Sequence, residues 1–466
     1  MSSPSEGSAG PPPKVLSTMN QDGSRKLMRP RLYAGRFFQR RRVLAWFLIL
    51  AFSLIPYITL GGKPAIFLDL AHRQFTFFGK TLLATDTVIL MLFMLSILVS
   101  IFLLTALIGR VWCGWACPQT VYMEFLFRPI ERLFEGPPEQ QRKLDQQGGG
   151  IRRLAKNGVF LLIAVFLAHT FLAYWVSVDV LLHWMRQSPL DHPGGFLVMA
   201  AVSTLVFIDF AWFREQTCLV ACPYGRFQSV LLDRSSLIVG YDTTRGESRG
   251  TTRDRREQKD TSFGDCIDCG ACVKTCPTGI DIRNGLQMEC VNCTQCIDAC
   301  DQVMDKLGKP RGLIRYSSQE ELETGTRRFL RPRLLIYPTV LIVALTLLTI
   351  KLNSIKTADV TVLRGLSAPW TDLGDDRISN SLRVKVGNRD LEPRKFWISV
   401  TEPAEAQLIA PENPIVVPGN GSHTATLFVI LNEEAFEHGD VPTHIEVTDS
   451  LGFSQSVLYK LLGPRE

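Results

Sequence analysis

Apolar residues gather into five runs along the chain: Val43 to Leu60, Thr87 to Ile108, Gly158 to Leu182, Gly195 to Phe213 and Leu334 to Ile350. Each approaches the roughly 20 residues a helix needs to cross the hydrocarbon core of a bilayer. Buried core helices are the alternative, as is a cleaved signal peptide for the first run. A long basic leader before Val43 and no small-residue cleavage site after Leu60 speak against the signal peptide. After Lys351 the pattern changes to short alternating stretches: Asp359 to Leu366, Ser381 to Val386, Phe396 to Thr401, Thr424 to Leu431, His444 to Thr448 and Ser454 to Leu461. Turn residues such as Pro418, Gly419, Asn420 and Gly421 punctuate them, and this spacing predicts an antiparallel β-sandwich.

Composition alone would suit a soluble protein, with 46% hydrophobic and 21% charged residues and a mean hydropathy of +0.10 over 466 residues. The runs reveal the segregation that those averages conceal, and the apolar content excludes a disordered chain. A net charge of +6 would fit a nucleic-acid partner only if the basic residues formed a face on a soluble domain. Instead, residues 1–42 carry nine Lys/Arg and residues 109–157 carry eight, against three in residues 61–83 and Arg186 alone in residues 183–194. Basic loops favour the cytoplasmic side. The pattern therefore predicts a membrane protein with a cytoplasmic N-terminus and five crossings, its last domain outside, in the periplasm if the host is Gram-negative. Residues 351–466 hold 11 basic and 16 acidic residues, so the excess positive charge lies in the preceding segments and records topology, with no nucleic-acid partner implied.

The expected fold is multi-domain. It comprises a basic, partly disordered N-terminus (1–42), a four-helix membrane region (43–213), a cytoplasmic segment (214–333), a fifth transmembrane helix (334–350) and a periplasmic all-β domain (351–466). Met1 to Gln21 is rich in Ser, Pro and Gly and reads as disordered. Thr243 to Thr261 is Arg-rich without apolar period and reads as a solvated linker within reach of anionic headgroups.

All twelve cysteines lie between residues 113 and 300. Cys266-x2-Cys269-x2-Cys272-x3-Cys276-Pro277 and Cys290-x2-Cys293-x2-Cys296-x3-Cys300 have the spacing of a bacterial two-cluster ferredoxin, an α+β module over about residues 260–305. In that pattern three close thiolates hold one cluster and the fourth crosses to the other. Cys266, Cys269, Cys272 and Cys300 are expected to hold one [4Fe-4S] cluster, and Cys290, Cys293, Cys296 and Cys276 the second. Zinc also uses repeated C-x2-C pairs, but eight cysteines at matched spacing favour clusters. Asp301 stands where a proline follows the first run, which predicts a different backbone path there. Two neighbouring clusters imply one-electron transfer, and nothing in the cassette binds an organic substrate.

The remaining thiols form an internal repeat, Cys113-x3-Cys117-Pro118 and Cys218-x3-Cys222-Pro223, just past the second and fourth runs. Proline starts a helix and keeps the preceding residue out of the αR region, so each pair is expected on a turn. Surface helices over Val121 to Phe127 and Phe227 to Leu232 should follow. A permanent disulfide is disfavoured in a reducing compartment, and a redox dithiol departs from C-x2-C spacing. The favoured reading is a soft metal site where both repeats converge, for Cu(I), zinc or iron-sulfur.

Histidines are weaker clues. His169 lies inside the third run without a partner at its depth to complete a haem pair. His183, Met185 and His192 share an outer turn, where interfacial placement competes with a copper contact. His423, His438 and His444 lack matched metal spacing. Asp209 is an ionisable residue near the inner end of the fourth run, where such groups are often functional. No P-loop, dinucleotide fingerprint, hydrolase elbow or zinc-protease motif is present.

Together WCGWACPQTVYMEFLFRPIER, TCLVACPYGRFQSVLLD and CIDCGACVKTCPTGIDIRNGLQMECVNCTQCIDACD resemble the CcoG/FixG/RdxA family, over about residues 30–460. The resemblance implies the same order of membrane helices, ferredoxin module and final immunoglobulin-like sandwich, and it accommodates Asp301. It implies an accessory protein for assembly of cbb3-type cytochrome c oxidase, an oxidoreductase reducing Cu(II) to Cu(I). By that resemblance Cys266 to Cys300 conduct electrons, while Cys113, Cys117, Cys218 and Cys222 bind or help reduce copper, the substrate. The implied partners are the bilayer, copper ions, an electron donor that the sequence does not identify, and oxidase-assembly or copper-trafficking proteins. Two other readings stay open: a quinol-linked membrane ferredoxin, and a non-enzymatic redox-sensing scaffold whose sandwich docks oxidase subunits.

Overall fold

A computed structural model describes residues 17–464 apart from 21, 23, 61, 70–73, 84–85, 149, 258–262, 327–331, 355, 391, 420 and 437–438. His438, Asn420 and most of the leader expected to be disordered lie outside the described residues. The described end of that leader is docked: the Ser17 hydroxyl donates to the Thr278 carbonyl at 2.6 Å, and the Gln216 amide donates to the Thr18 carbonyl at 3.1 Å. The chain divides into two units, residues 1–348 and 349–466.

Among the described residues, four helices are long and apolar enough to cross a membrane: α2 (Thr87–Ile108), α3 (Gly150–Leu172), α4 (Pro193–Ile208, continued by a π-helical turn to Phe213) and α5 (Pro332–Asn353). Leu98, Leu162, Leu197 and Ile342 are among the apolar side chains they expose, the surface of a helix whose solvent is lipid. The first run behaves differently. Helix α1 spans Arg36–Leu54, so it takes in Arg36, Arg40, Arg41 and Arg42 and ends short of Leu60. A 3-10 turn at Ile55–Tyr57 and a strand at Thr59–Leu60 follow it. Its buried face is Phe38, Arg41, Ala45 and Ile49, at helical spacing, packed with Val121, Phe125 and Phe160. The backbone N–H groups of Phe37 and Phe38 at its start donate to the Asp298 carboxylate, whereas the Phe52 carbonyl near its end accepts from the Tyr174 hydroxyl, just past α3.

The expected surface helix over Val121 to Phe127 is corrected. Pro118–Tyr122 is helical, Met123–Phe127 is a π turn, and Val121, Met123, Phe125 and Phe127 are buried. Phe127 stacks on Phe210 with ring centroids 4.2 Å apart, so this apolar stretch is core. The second stretch does leave Phe227 and Val230 exposed.

Residues beyond α5 form the expected β structure in two antiparallel sheets. The strands are β1 (Ala358–Arg364), β2 (Thr371–Asp372), β3 (Arg377–Asn388), β4 (Arg394–Glu402), β5 (Gln407–Ile409), β6 (Ile415–Val417), β7 (Ser422–Asn432), β8 (Asp440–Asp449) and β9 (Ser454–Leu462). One sheet runs β5-β7-β3-β1 with β2 on β3, and the other runs β6-β4-β8-β9. Alternate residues Val384 and Val386 on β3, Phe396 and Ile398 on β4, Leu427 and Val429 on β7, and Ile445 and Val447 on β8 fill the core, as period-two strands require. His423 and His444 bond to Glu412 and Ser456 respectively on the exterior.

Candidate redox site

The ferredoxin-like module repeats its backbone as well as its sequence. Asp268 and Gly270 in the first repeat, and Asn292 and Thr294 in the second, all have positive φ, at 50°, 64°, 53° and 61°. Left-handed residues alternating with ordinary ones make successive N–H groups concave, an arrangement that cradles anionic centres. Cys300 lies within electrostatic reach of Cys272, Cys266 and Cys269, and Cys296 of Cys293, Cys290, Cys276 and Cys272, so the two expected sets adjoin at Cys272. A cavity opens between Cys272, Cys276, Cys290, Cys293 and Cys296, otherwise lined by valines, isoleucines and threonines. Among the described residues no three His, Cys, Asp or Glu side chains converge closely enough to hold a single metal ion. A four-iron cube spreads its ligands over its corners, so this thiol-only donor set fits clusters. Asp301 replaces proline with the expected effect: the helix of the second repeat runs on past Cys300 through Gln295–Lys306, whereas Ala271–Thr275 stops before Cys276 and Pro277. Its carboxylate accepts from the Gly312 N–H at 3.0 Å.

The Arg-rich run is not a free linker, a second correction. Arg245 pairs with Asp265 and donates to the Arg311 carbonyl, and Arg255 donates to the carbonyls of Gly250, Gly264 and Cys266. It lacks apolar periodicity because its partners are backbone carbonyls around the first cysteine loop.

The membrane-edge motifs form the second half of the site. Cys117 and Cys222 both have extended backbone before a helix-starting proline, as expected. Cys113 lies in the short helix Val111–Trp115 and Cys218 in the π turn Thr217–Ala221, a helix distortion frequent at functional sites. The four thiols are neighbours, with no three of them close enough to hold one metal ion: Cys218 is within electrostatic reach of Cys117, Cys113 and Cys222, and Cys117 of Cys222. Burial pushes Cys113 up to about 11 and Cys218 up to about 12, the neighbouring thiols adding to the rise. The Cys113 thiol donates to Gln228 Oε1 at 3.0 Å, and the amide of Gln228 bonds Tyr224 and Thr105, so the helix after the second motif holds the first. Asp209 ties the motifs from below, accepting from Gln119 at 3.2 Å and from the Thr217 hydroxyl.

The two halves meet directly. Cys113 packs with Val291 and Cys293. Gly114 lies against the same loop so closely that a Cβ there would sit 2.6 Å from the Val291 and Asn292 carbonyl oxygens. Arg41, 1% exposed, donates through Nε to the Gly114 carbonyl at 2.9 Å and through Nη1 to the Cys293 carbonyl at 2.8 Å. Trp115 Nε1 donates to the Tyr316 hydroxyl at 2.9 Å, which in turn donates to the Asn292 carbonyl. By contrast, Cys269 is exposed. Nearby, Glu131 is held by Arg29, Lys156 and a two-point contact from Arg214. Burial works against its ionisation, but Arg214 and Arg29 hold its carboxyl down at about 2.

Arg41, Gly114, Gln228 and Asp298 were not legible as site residues, since Arg40 to Arg42 count in sequence only as topology charge. One signal was available: Arg41 shares a helical face with Ala45 and Ile49, where an arginine is out of place unless paired.

Comparisons with known proteins match three regions of the chain. Residues 90–137 match the family described as a 4Fe-4S binding domain, residues 213–319 a 4Fe-4S dicluster domain, and residues 348–464 the IG-like fold at the C-terminal of FixG. RdxB of Cereibacter sphaeroides is 34% identical, covering 86% of this chain and 88% of its own. RdxA of the same organism is 33% identical over 80% and 81%, and FixG of Rhizobium meliloti 34% identical over 63% and 57%. With four membrane-length helices, an eight-cysteine cluster module and a FixG-type terminal sandwich, the chain belongs to the FixG/RdxA family of iron-sulfur electron-transfer proteins.

Proposed function

We propose that this membrane protein is a cupric reductase supporting assembly of cbb3-type cytochrome c oxidase, and that the Cys113, Cys117, Cys218 and Cys222 quartet is where copper is reduced. The observation that carries the reading is the contact of Cys113 with Val291 and Cys293, clamped by Arg41. Cys266, Cys269, Cys272 and Cys300 would hold one [4Fe-4S] cluster, and Cys276, Cys290, Cys293 and Cys296 the other; when bound, they supply one-electron transfer. Exposed Cys269 marks the end open to an external donor, and buried Cys293 the end facing the quartet. At the quartet the substrate Cu(II) takes up one electron and leaves as Cu(I), the state that thiolates prefer. Gln228 orients the Cys113 sulfur, and Pro118 and Pro223 hold Cys117 and Cys222 on extended turns.

The same reading has five crossings, with the clusters and quartet on the cytoplasmic side and residues 351–466 in the periplasm. Supporting it, α1 is bonded to Asp298 of the module at one end and to Tyr174, past the far end of α3, at the other. The test is anaerobic Cu(I) formation by the purified, cluster-loaded protein with a reductant supplied. Cys113→Ser and Cys218→Ser lower the rate without loss of clusters; unchanged rates in both variants would remove the quartet from the reaction.

A further inference from the structure

The end of the helix bundle away from the iron-sulfur module holds a cavity that the proposed reaction does not use. It measures about 270 Å³ and is lined by His169, Trp184, Met185, Gln187, His192 and Met199. His169 comes from the last turn of α3, Met199 from α4, and the rest from the connection between them. Trp184 shapes the cavity. It stacks on His192 at 5.0 Å and lies over Gly195, where a Cβ would come within 2.5 Å of the indole. Behind it Leu172, Ala173 and Leu181 pack together with Met199.

The two imidazoles are prepared alike. His169 Nδ1 is 2.8 Å from the Val165 carbonyl, so the proton sits there and Nε2 keeps its lone pair. His192 Nε2 is 2.5 Å from Gln187 Oε1, while the amide nitrogen of Gln187 is 3.0 Å from His183 Nε2. That amide orientation puts the His192 proton on Nε2 and leaves Nδ1 as the lone pair. A metal-binding histidine usually donates its second N–H to an oxygen in this way, which fixes its tautomer. Two flexible thioethers share the cavity. Among the described residues no carboxylate or thiol lines it, which disfavours hard cations, and thioether with imidazole suits Cu(I).

We propose that His169, Met185, His192 and Met199 form a Cu(I) site at the opposite end of the bundle from the cysteine quartet. Its test does not depend on copper reduction, so its failure and that of the reductase reading are distinguishable. Full-length, cluster-loaded protein with Cys113, Cys117, Cys218 and Cys222 changed to serine is titrated anaerobically with Cu(I) against a chromogenic chelator. One Cu(I) per chain should remain bound, with thioether and imidazole scattering in X-ray absorption. Adding His169→Ala and Met199→Leu, the latter nearly volume-conserving, should weaken binding by about tenfold or more. In the protein with its quartet intact, the same pair of changes should remove one class of Cu(I) site and leave the other. Absence of Cu(I) from the serine variant, unchanged binding after His169→Ala and Met199→Leu, or displacement of the metal by a short-chain quinone would each overturn the proposal.

Discussion

Arg41 offers the sharpest quantitative test, because it supplies both a charge and a fork between the two halves of the site. Arg41→Gln removes both, whereas Arg41→Lys keeps the charge and loses the fork. The guanidinium is one hydrogen bond, 2.8 Å, from the Cys293 carbonyl. For a unit charge about 7 Å from a redox centre at an effective dielectric of about 20, the interaction is about 2.4 kcal/mol. For a one-electron couple, about 59 mV corresponds to 1.4 kcal/mol, so losing the charge lowers the midpoint by about 100 mV. Reduction makes the cluster more negative, hence the downward sign. The two lost charge-assisted bonds, about 1.5–3 kcal/mol each, lower stability separately. Redox-titrated EPR on full-length protein, with iron content and visible absorbance matched, reads the midpoint. A shift below about 20 mV in Arg41→Gln, or an equal shift in Arg41→Lys, refutes the electrostatic reasoning.

Gly114→Ala should force the Val291–Asn292 carbonyls away, costing about 1–3 kcal/mol in melts followed by cluster absorbance and slowing copper reduction with the clusters still bound. Asp298→Ala orphans the N–H groups of Phe37 and Phe38 at the start of α1 and should lower stability by about 1 kcal/mol in urea titrations followed by circular dichroism. Glu131, held down from 4.5 to about 2, adds stability that is complete above pH 4.5 and lost as pH falls towards 2. Thermal melts across that window should fall steeply for the native chain and more gently for Glu131→Gln. Truncation after Asn353 removes the terminal sandwich close to the unit boundary at residue 349. Cluster content and copper reduction should persist in the truncated protein, while oxidase assembly is lost if the sandwich docks the partner.

Much of this was legible in sequence because it rests on local rules. Period-two alternation gave all six expected strands, missing only the short β2, β5 and β6, and the proline after Cys117 and Cys222 dictated their extended backbone. Cysteine spacing identified a two-cluster ferredoxin-like module, which the dicluster family match supports. What escaped depends on tertiary approach. Val121 to Phe127 is as apolar as an interfacial helix, and only α1 and Phe210 packed against it make it core. Arg255 looks solvated until the carbonyls of Gly264 and Cys266 come within its reach. The His169 and Met199 cavity likewise joins residues on different helices, which no spacing rule links.

The most direct test of the central claim is a single-turnover experiment in which pre-reduced, cluster-loaded protein is mixed anaerobically with Cu(II). Cluster absorbance and chelated Cu(I) are followed together. The account predicts that cluster oxidation and Cu(I) appearance share one rate and balance electron for electron, and that the clusters stay reduced when Cys113, Cys117, Cys218 and Cys222 are serine. Cluster oxidation by Cu(II) at an undiminished rate in that variant would contradict it.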